Sequence, residues 1–173
     1  MPYRRYDFGS GVQLPVTAEQ FTAALTELAA GVTIVCVHDE DDDVGMTSTT
    51  FSSISLDPPL VGLAVATQSY LDELLERQPR WAATILAAGQ RTVASRFAAA
   101  GRPSARLLLA DLPHHRGELS GGLIVDGGLA GLECRTVRRV PAGDHTFVLA
   151  EVLAVDYVGD DEEPLLYVRR RYR

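Results

Sequence analysis

The stretch GMTSTTFSSISLDPP, residues 45–59, is the most informative part of this chain. Seven of the nine residues from Thr47 to Ser55 carry a hydroxyl group, and an Asp-Pro-Pro sequence closes the stretch. Uncharged hydroxyls and backbone N–H groups on a β-rich segment suit the carbonyls, ring nitrogens and phosphates of a large planar ligand. Composition alone leaves open the alternative of a polar strand whose hydroxyls only cover the surface.

Short β-type segments on both sides of this stretch predict strands. They comprise residues 32–37, 44–50, 60–65 and 81–86, and in the last third residues 123–125, 131–139, 147–158 and 165–169. Pro58 and Pro59 cannot donate to a ladder, which predicts a rigid connection between strands. The acidic run at residues 38–43 is expected to be a solvated hairpin tip, because it lacks the spaced ligands and glycine of a calcium loop.

Three helices are predicted among these strands. Thr17 and Gln20 have the spacing of a capping box, which predicts the start of the first helix. Gly31 is the expected end of this helix. The residues between them follow the spacing of one apolar helix face, which comprises Phe21, Ala24, Leu25, Leu28 and Ala29. Ser69 is expected to cap a second helix that ends before Pro79, and a third spans residues 90–100. Residues 104–121 are ambiguous. The order of strands and helices does not alternate as βαβ units do, and it predicts a mainly antiparallel barrel with peripheral helices. The barrel is expected to form a single domain of residues 17–173, after an arm of residues 1–16.

Composition excludes several classes of function. All 16 basic residues are arginine, so the chain lacks the lysine of a P-loop or a Schiff base. The formal net charge of −7 argues against general nucleic-acid binding. No apolar run reaches the roughly 18 residues of a membrane helix, and the first residues lack the apolar core of a signal peptide. Cys36 and Cys134 lie in apolar stretches, which predicts reduced core residues in a cytoplasmic protein, with a disulfide or reactive thiol as the alternative.

A second candidate for chemistry is the turn Gly143-Asp144-His145. The backbone of a tight turn would hold His145 in position, and histidine titrates near neutral pH, although a lone histidine is more often structural. The pair His114-His115 is expected to be exposed, and no metal site is predicted there or elsewhere. Motifs of the types GxGxxG, HExxH, CxxC and GxSxG are absent, which argues against dinucleotide-binding Rossmann, zinc and hydrolase sites.

The order of these pieces resembles the flavin-reductase family of small NAD(P)H:flavin oxidoreductases. The matching motifs are T-x-x-x-F-x-S-x-S-x-D-P-P (47–59), L-x-x-x-Q-x-x-x-A-x-R-F-A (86–98), G-D-H (143–145) and P-L-x-Y (164–167). The resemblance implies an FMN-binding type of split β-barrel that forms a homodimer, with FMN or FAD as the flavin and NADH or NADPH as the hydride donor. It also implies a partner, a flavin-dependent monooxygenase that receives the reduced flavin. Neither nucleic acid nor membrane is an expected partner.

The same resemblance assigns roles to residues. The flavin would contact Thr47, Ser48, Thr49, Thr50, Ser53, Ser55, the loop Ala66, Thr67, Gln68 and Ser69, and also Gln90 and Arg96. Gly143, Asp144 and His145 match the family's nicotinamide-binding turn, and His145 would orient the nicotinamide as the candidate catalytic residue. Hydride transfer from nicotinamide C4 to flavin N5 requires close, parallel rings more than acid–base chemistry.

The chain departs from the family pattern at three places. Thr67 and Tyr70 stand where relatives often carry a basic residue, which leaves the flavin phosphate to Ser69, backbone amides and an arginine such as Arg96. Thr84 replaces a usual asparagine, and the arginines of residues 169–171 replace a glycine. The neutral loop predicts weak flavin binding, typical of a flavin that is a co-substrate. The alternatives are a non-catalytic flavin-binding or electron-transfer protein of the same barrel type, and an interaction barrel without a cofactor.

Overall fold

The computed structural model describes residues 16–40, 42–159 and 162–173. The predicted arm, residues 1–16, lies outside the described residues except for Val16. The helices are α1 (Ala18–Leu25), α2 (Tyr70–Arg77), α3 (Arg91–Ala98) and α4 (Ala105–Leu108), with a 3₁₀ turn at Ala88–Gln90. The strands are β1 (Ala30–Gly31), β2 (Thr33–Asp39), β3 (Asp42–Ser48), β4 (Ser52–Leu56), β5 (Pro59–Ala66), β6 (Arg80–Ile85), β7 (His114–Arg116), β8 (Leu123–Val125), β9 (Ala130–Ala142), β10 (His145–Val158), β11 (Leu166–Val168) and β12 (Arg171–Tyr172).

Seven strands form the main sheet, in the order β3-β2-β6-β9-β10-β5-β4. Every neighbouring pair is antiparallel, and the long β9–β10 ladder contains three register shifts. Such shifts bend and twist a strand, as a sheet that curls into a barrel requires. The edge strands β3 and β4 are consecutive in the chain, so the peptide between them crosses the open side of the sheet. The predicted mainly antiparallel architecture with peripheral helices is therefore confirmed.

Both faces of the sheet bury apolar side chains. On β2, Val35 and Val37 join the cluster that α2 covers, while Ile34 and Cys36 join the cluster that α3 and α4 cover. Alternate residues of a strand point to opposite faces, so a strand that is buried on both sides needs an unbroken apolar run. This explains why residues 32–37 lack polar alternation. Gly45 on β3 permits close contact with α3, because an added Cβ there would lie 2.5 Å from the Phe97 ring.

The predicted element types are confirmed, and several boundaries differ. The capping box of Thr17 and Gln20 is present, but α1 ends at Leu25, and Gly31 belongs to β1 rather than to a helix end. The predicted strand of residues 44–50 ends at Ser48 in β3, and Ser52–Leu56 form a further strand, β4, that was not predicted. The ambiguous residues 104–121 form α4 and β7. The predicted apolar face of α1 exists but buries no residue within the chain.

The prediction of a solvated acidic hairpin tip is wrong for Asp43, whose side chain is 0% exposed. Both carboxylate oxygens accept hydrogen bonds from Arg116, at 2.7 and 2.9 Å, and the ring of His38 lies 3.1 Å from one of them. Burial opposes ionisation of Asp43, but the hydrogen bonds and charge of Arg116 outweigh it and hold its pKa below the ordinary value. The cluster joins the β2–β3 hairpin to β7. Only the tertiary fold supplies this distant cation.

Candidate active site

The chain turns sharply between β3 and β4, and hydroxyl groups hold this bend. The Thr50 N–H donates to Ser48 Oγ at 3.2 Å, and the two hydroxyl oxygens lie 3.1 Å apart. Thr50 Oγ1 also accepts a hydrogen bond of 3.0 Å from the N–H of Ala64 on β5. Thr49 and Thr50 are exposed, whereas Ser48 is buried. The bend therefore presents Thr49 and Thr50 to a ligand on a backbone that is tied to β5.

The other hydroxyls of the polar run have different surroundings. Ser53 is exposed and Ser55 half-buried on β4, whose one partner among the described strands is β5. A free strand edge of this kind can hydrogen-bond a ligand through its backbone. Thr47 instead donates its hydroxyl to the Ala94 carbonyl of α3 at 2.7 Å. Its side chain thus links β3 to α3, and a flavin contact of Thr47 stays a prediction.

The loop of residues 66–69 and the Gly143–His145 turn lie against each other. Ala66, at the end of β5, is the register partner of His145, at the start of β10. The N–H and the hydroxyl of Thr67 both donate to the Asp144 carbonyl, each at 3.1 Å. Ser69 caps α2 by accepting from the Asp72 N–H at 3.2 Å. The structure therefore brings together the predicted phosphate loop and the predicted nicotinamide turn, which are far apart in the sequence.

The turn itself depends on glycine. Gly143 has a φ of +73°, in the left-handed region that glycine adopts without steric cost. The Asp144 carboxylate lies 2.8 Å from His145 Nδ1, and this hydrogen bond, with the attraction of the imidazole, lowers the pKa of Asp144. The His145 side chain is 45% exposed, and its Nε2 makes no hydrogen bond to any residue that the structure describes. Asp144 thus orients the ring and leaves Nε2 available to a ligand.

A polar cluster behind the loop ties its supports together. The Asp72 carboxylate accepts hydrogen bonds from Arg139 on β9, at 2.6 Å, and from Thr146 on β10, at 3.2 Å. Arg139 also donates to the Asp72 carbonyl at 3.0 Å. Asp72 and Thr146 are buried. Because Thr146 follows His145 and Asp72 follows the cap Ser69, this cluster connects α2 to the strand that carries the histidine.

Three other positions singled out in the sequence have structural partners. The Gln90 amide bridges the Ala87 N–H and the Asp126 carbonyl, at 3.1 and 2.9 Å. Arg96 pairs with Asp111, with one N–O distance of 2.8 Å, and also donates to the Leu108 carbonyl. Thr84 is fully buried and accepts from the Val125 N–H at 3.0 Å. The flavin contacts predicted for Gln90 and Arg96 stay predictions, and both side chains have further N–H groups beyond those that make these bonds.

A cavity of about 320 Å³ adjoins the loop and contains an arginine that the sequence analysis missed. β3, the start of α2 and residues 101–104 line it, and Arg102 lies on its wall together with Ser69 and Tyr70. A single arginine in a Gly-Arg-Pro break has no periodic pattern, so no signal in the sequence distinguished Arg102 from the other arginines.

The remaining candidates carry no site for a metal. Among residues 16–40, 42–159 and 162–173, no group of three or more metal-ligating side chains converges. His115 lies 2.6 Å from Asp126 and 2.8 Å from Asp156. Burial would lower the pKa of His115, but these two carboxylates outweigh it and raise the pKa.

Cys36 and Cys134 are free and buried, as predicted, and burial raises the pKa of each to about 12. They are core residues rather than reactive thiols. Within the part of the chain that the structure describes, no helix has the length and apolar character needed to cross a membrane.

Comparison with known proteins identifies the family. Residues 25–173 match the model of the flavin reductase like domain. The chain belongs to this family. One relative, the reductase component of 4-hydroxyphenylacetate 3-monooxygenase from Thermus thermophilus, is 37% identical over 155 residues, which are 90% of this chain and 95% of the relative. An NADH-dependent flavin reductase from a Rhodococcus species is 34% identical and covers 91% of this chain and 86% of its own.

Solved structures agree with this family assignment. The NADH:FAD oxidoreductase SgcE6 of Streptomyces globisporus superposes with a TM-score of 0.84 at 31% identity, covering 95% of this chain and 97% of its own. The same oxidoreductase in complex with NAD and FAD fragments gives a TM-score of 0.82 over 90% of each chain. The split β-barrel predicted from the sequence is thereby confirmed.

Proposed function

We propose that this protein is an NAD(P)H:flavin oxidoreductase, the reductase component that supplies reduced flavin to a partner monooxygenase. The observation that carries the proposal is the contact between Thr67 and the Asp144 carbonyl, which joins the predicted flavin loop to the predicted nicotinamide turn. Two substrates that exchange a hydride must meet at such a junction. Membership of the flavin reductase family supports the same activity.

The bend between β3 and β4 and the start of β4 fit a flavin. The exposed hydroxyls of Thr49, Thr50 and Ser53 and the open edge of β4 offer neutral donors and acceptors, which match the polar edge of an isoalloxazine. The bound flavin supplies the hydride acceptor, and the nicotinamide supplies the donor. This chain's contribution is to hold both rings close together and to keep the geometry fixed.

His145 is the proposed orienting residue for the nicotinamide. Its Nδ1 is engaged by Asp144, and its Nε2 is free to donate or accept a hydrogen bond at a ligand. The Asp144 carboxylate is 95% exposed, so it favours one orientation of the ring, and a bound nicotinamide would complete the positioning. NADH is the proposed hydride donor, because relatives at 33–34% identity are named for its use. FMN and FAD both suit the site.

The expected result is NADH oxidation that depends on added flavin. We expect the absorbance at 340 nm to fall under air only when FMN, FAD or riboflavin is present, with saturation in both substrates. NADPH and each flavin are tested in parallel to define both preferences. A protein that holds flavin through purification yet oxidises no pyridine nucleotide would instead support the electron-transfer alternative, and a protein that neither binds nor reduces flavin would contradict the proposal.

We further propose a homodimer, paired through a groove beside α1. Phe21 and Leu28 are 60% and 64% exposed, an apolar surface that water disfavours. The groove has a volume of about 320 Å³ and is also lined by Thr49, Thr50 and Tyr167. A second copy in this groove would cover the apolar face and complete the wall of the flavin site at Thr49 and Thr50.

Sedimentation and light scattering test this pairing. The wild type is expected to be a dimer at micromolar concentration, and the substitution Phe21→Glu is expected to weaken dimerisation about a hundredfold, the effect of a strong interface residue. Leu107→Glu is the matched control, because Leu107 is 67% exposed and lies outside the groove. A monomeric wild type, or equal weakening by both variants, would contradict the proposed interface.

The cytoplasmic location and the domain boundary at residue 17 also stay predictions.

A further inference from the structure

Arg102 occupies an unusual electrostatic position. Its Nε donates to the Gly45 carbonyl at 2.6 Å, and its Nη1 donates to the Ala99 carbonyl at 3.3 Å. Both acceptors are neutral, and Nη2 makes no hydrogen bond to any residue in the described ranges. Burial lowers the pKa of this guanidinium, and the smaller electrostatic effect of Cys36 opposes that change. The side chain is thus a partly desolvated cation held by carbonyl groups.

The other half-buried arginines each have a carboxylate partner. Arg96 pairs with Asp111, and Arg139 pairs with Asp72. Among residues 16–40, 42–159 and 162–173, no carboxylate lies within 4.0 Å of the Arg102 guanidinium, although Asp42 lines the same cavity. A desolvated charge without a counterion is unfavourable unless a ligand supplies the opposite charge. The position therefore favours an anion.

The cavity beside Arg102 shares one residue with the candidate active site. Ser69 lines the cavity and also ends the loop that begins at Ala66. A volume of about 320 Å³ is at the lower end of ligand pockets, enough for a phosphate and part of a sugar or ribityl chain, but not for a whole dinucleotide. The isoalloxazine would stay at the hydroxyl groups of Thr49 and Thr50, outside this cavity.

We propose that Arg102 binds the phosphate group of a nucleotide substrate, with the flavin phosphate as the assigned occupant, in the cavity between β3, α2 and residues 101–104. The inference rests on the proposed function. Nη2 of Arg102, which makes no hydrogen bond within the described ranges, can donate charge-assisted hydrogen bonds to phosphate oxygens while Nε and Nη1 hold the side chain in place. Arg102 would thereby replace the basic residue that the loop of residues 66–69 lacks, and it would favour FMN and FAD over riboflavin.

Substitution of Arg102 by glutamine tests the assignment. The steady-state KM and the dissociation constant from flavin fluorescence quenching are measured for FMN and for riboflavin. We expect both constants for FMN to rise about tenfold to a hundredfold, the range for loss of a charge-assisted hydrogen bond, and those for riboflavin to change less than about twofold. Arg102→Lys, which keeps the charge, is expected to recover a large part of the FMN affinity. Arg138→Gln is the matched control, because Arg138 is exposed on β9.

Each outcome decides the proposal. A rise confined to the KM for NADH would support a phosphate site but assign it to the pyridine nucleotide. Equal loss of FMN and riboflavin affinity, or unchanged FMN affinity with an unchanged circular dichroism spectrum, would overturn the proposal. If the wild type reduces no flavin, the proposed function fails, and the quenching titration with FMN and riboflavin still decides whether Arg102 binds phosphate. If the glutamine variant does not fold, the lysine and alanine variants are titrated in the same way, and the alanine variant must lose FMN affinity selectively.

Discussion

Replacement of His145 by alanine is expected to lower kcat/KM for NADH by about tenfold to a hundredfold, while the KM for flavin stays within about twofold. The physical reason is geometric, because a small misplacement of the hydride donor from its acceptor can cost about a hundredfold in rate. The His145 ring is held by Asp144 at 2.8 Å and leaves Nε2 free toward a ligand. Stopped-flow absorbance at 340 nm and at the flavin band measures the hydride step directly.

The control for this prediction is His114→Ala. His114 lies on β7, outside the main sheet, and its Nδ1 lies 2.8 Å from the Leu112 carbonyl. Its loss removes an imidazole without changing the Gly143–His145 turn, so the rate of hydride transfer should stay within about twofold of the wild type. A His145→Ala variant that retains the full rate and the full affinity for NADH would remove the proposed orienting role.

The substitution Asp43→Ala is expected to lower the free energy of unfolding by about 2–3 kcal/mol. Loss of one partner of a buried ion pair costs about 3–5 kcal/mol when the remaining charge stays buried. The lower value applies here because the Arg116 side chain is 40% exposed and can regain water. Urea unfolding of both proteins at pH 7 measures the difference. The control is Asp57→Ala, since Asp57 is exposed, and a change of less than about 1 kcal/mol is expected.

The same carboxylate predicts a pH dependence with a defined sign. The pKa of Asp43 is lower in the folded protein than its ordinary value of about 3.9 in an unfolded chain. Its stabilisation is therefore fully present above the unfolded pKa and is lost as the pH falls through the folded pKa. The difference in unfolding free energy between wild type and Asp43→Ala should be constant from pH 6 to 8 and shrink below about pH 4. A difference that grows on acidification would contradict the assigned ion pair.

Local signals in the sequence predicted local structure well. The capping box of Thr17 and Gln20 and the cap Ser69 depend on residues three apart, and both caps are present. The run at residues 32–37 predicted a strand because β-branched residues favour strands and because a strand that is buried on both faces is apolar along its length. Likewise, the tight Gly-Asp turn before His145 required only a glycine with a positive φ. Each of these features is encoded within a few consecutive residues.

Surface and core were harder to distinguish. The apolar face of α1 has the periodicity of a core helix, yet Phe21 and Leu28 are exposed in the single chain. A helix that packs on its own core and one that packs on a second chain require the same pattern. Conversely, Asp43 belongs to an acidic run that is typical of a solvated turn, but Arg116, 73 positions away, makes its burial favourable.

The sequence by itself determined the elements, their order and the family resemblance, because caps, apolar runs and turn residues act over short distances. Only the tertiary structure decided which partners each arginine has. Arg96 and Arg102 lie six positions apart, and both are half-buried. The fold gives Arg96 the carboxylate of Asp111, whereas the partners of Arg102 among the described residues are the carbonyl groups of Gly45 and Ala99, beside a cavity. An arginine carries its charge in either place, but its hydrogen-bond partners depend on distant neighbours that only folding brings within reach.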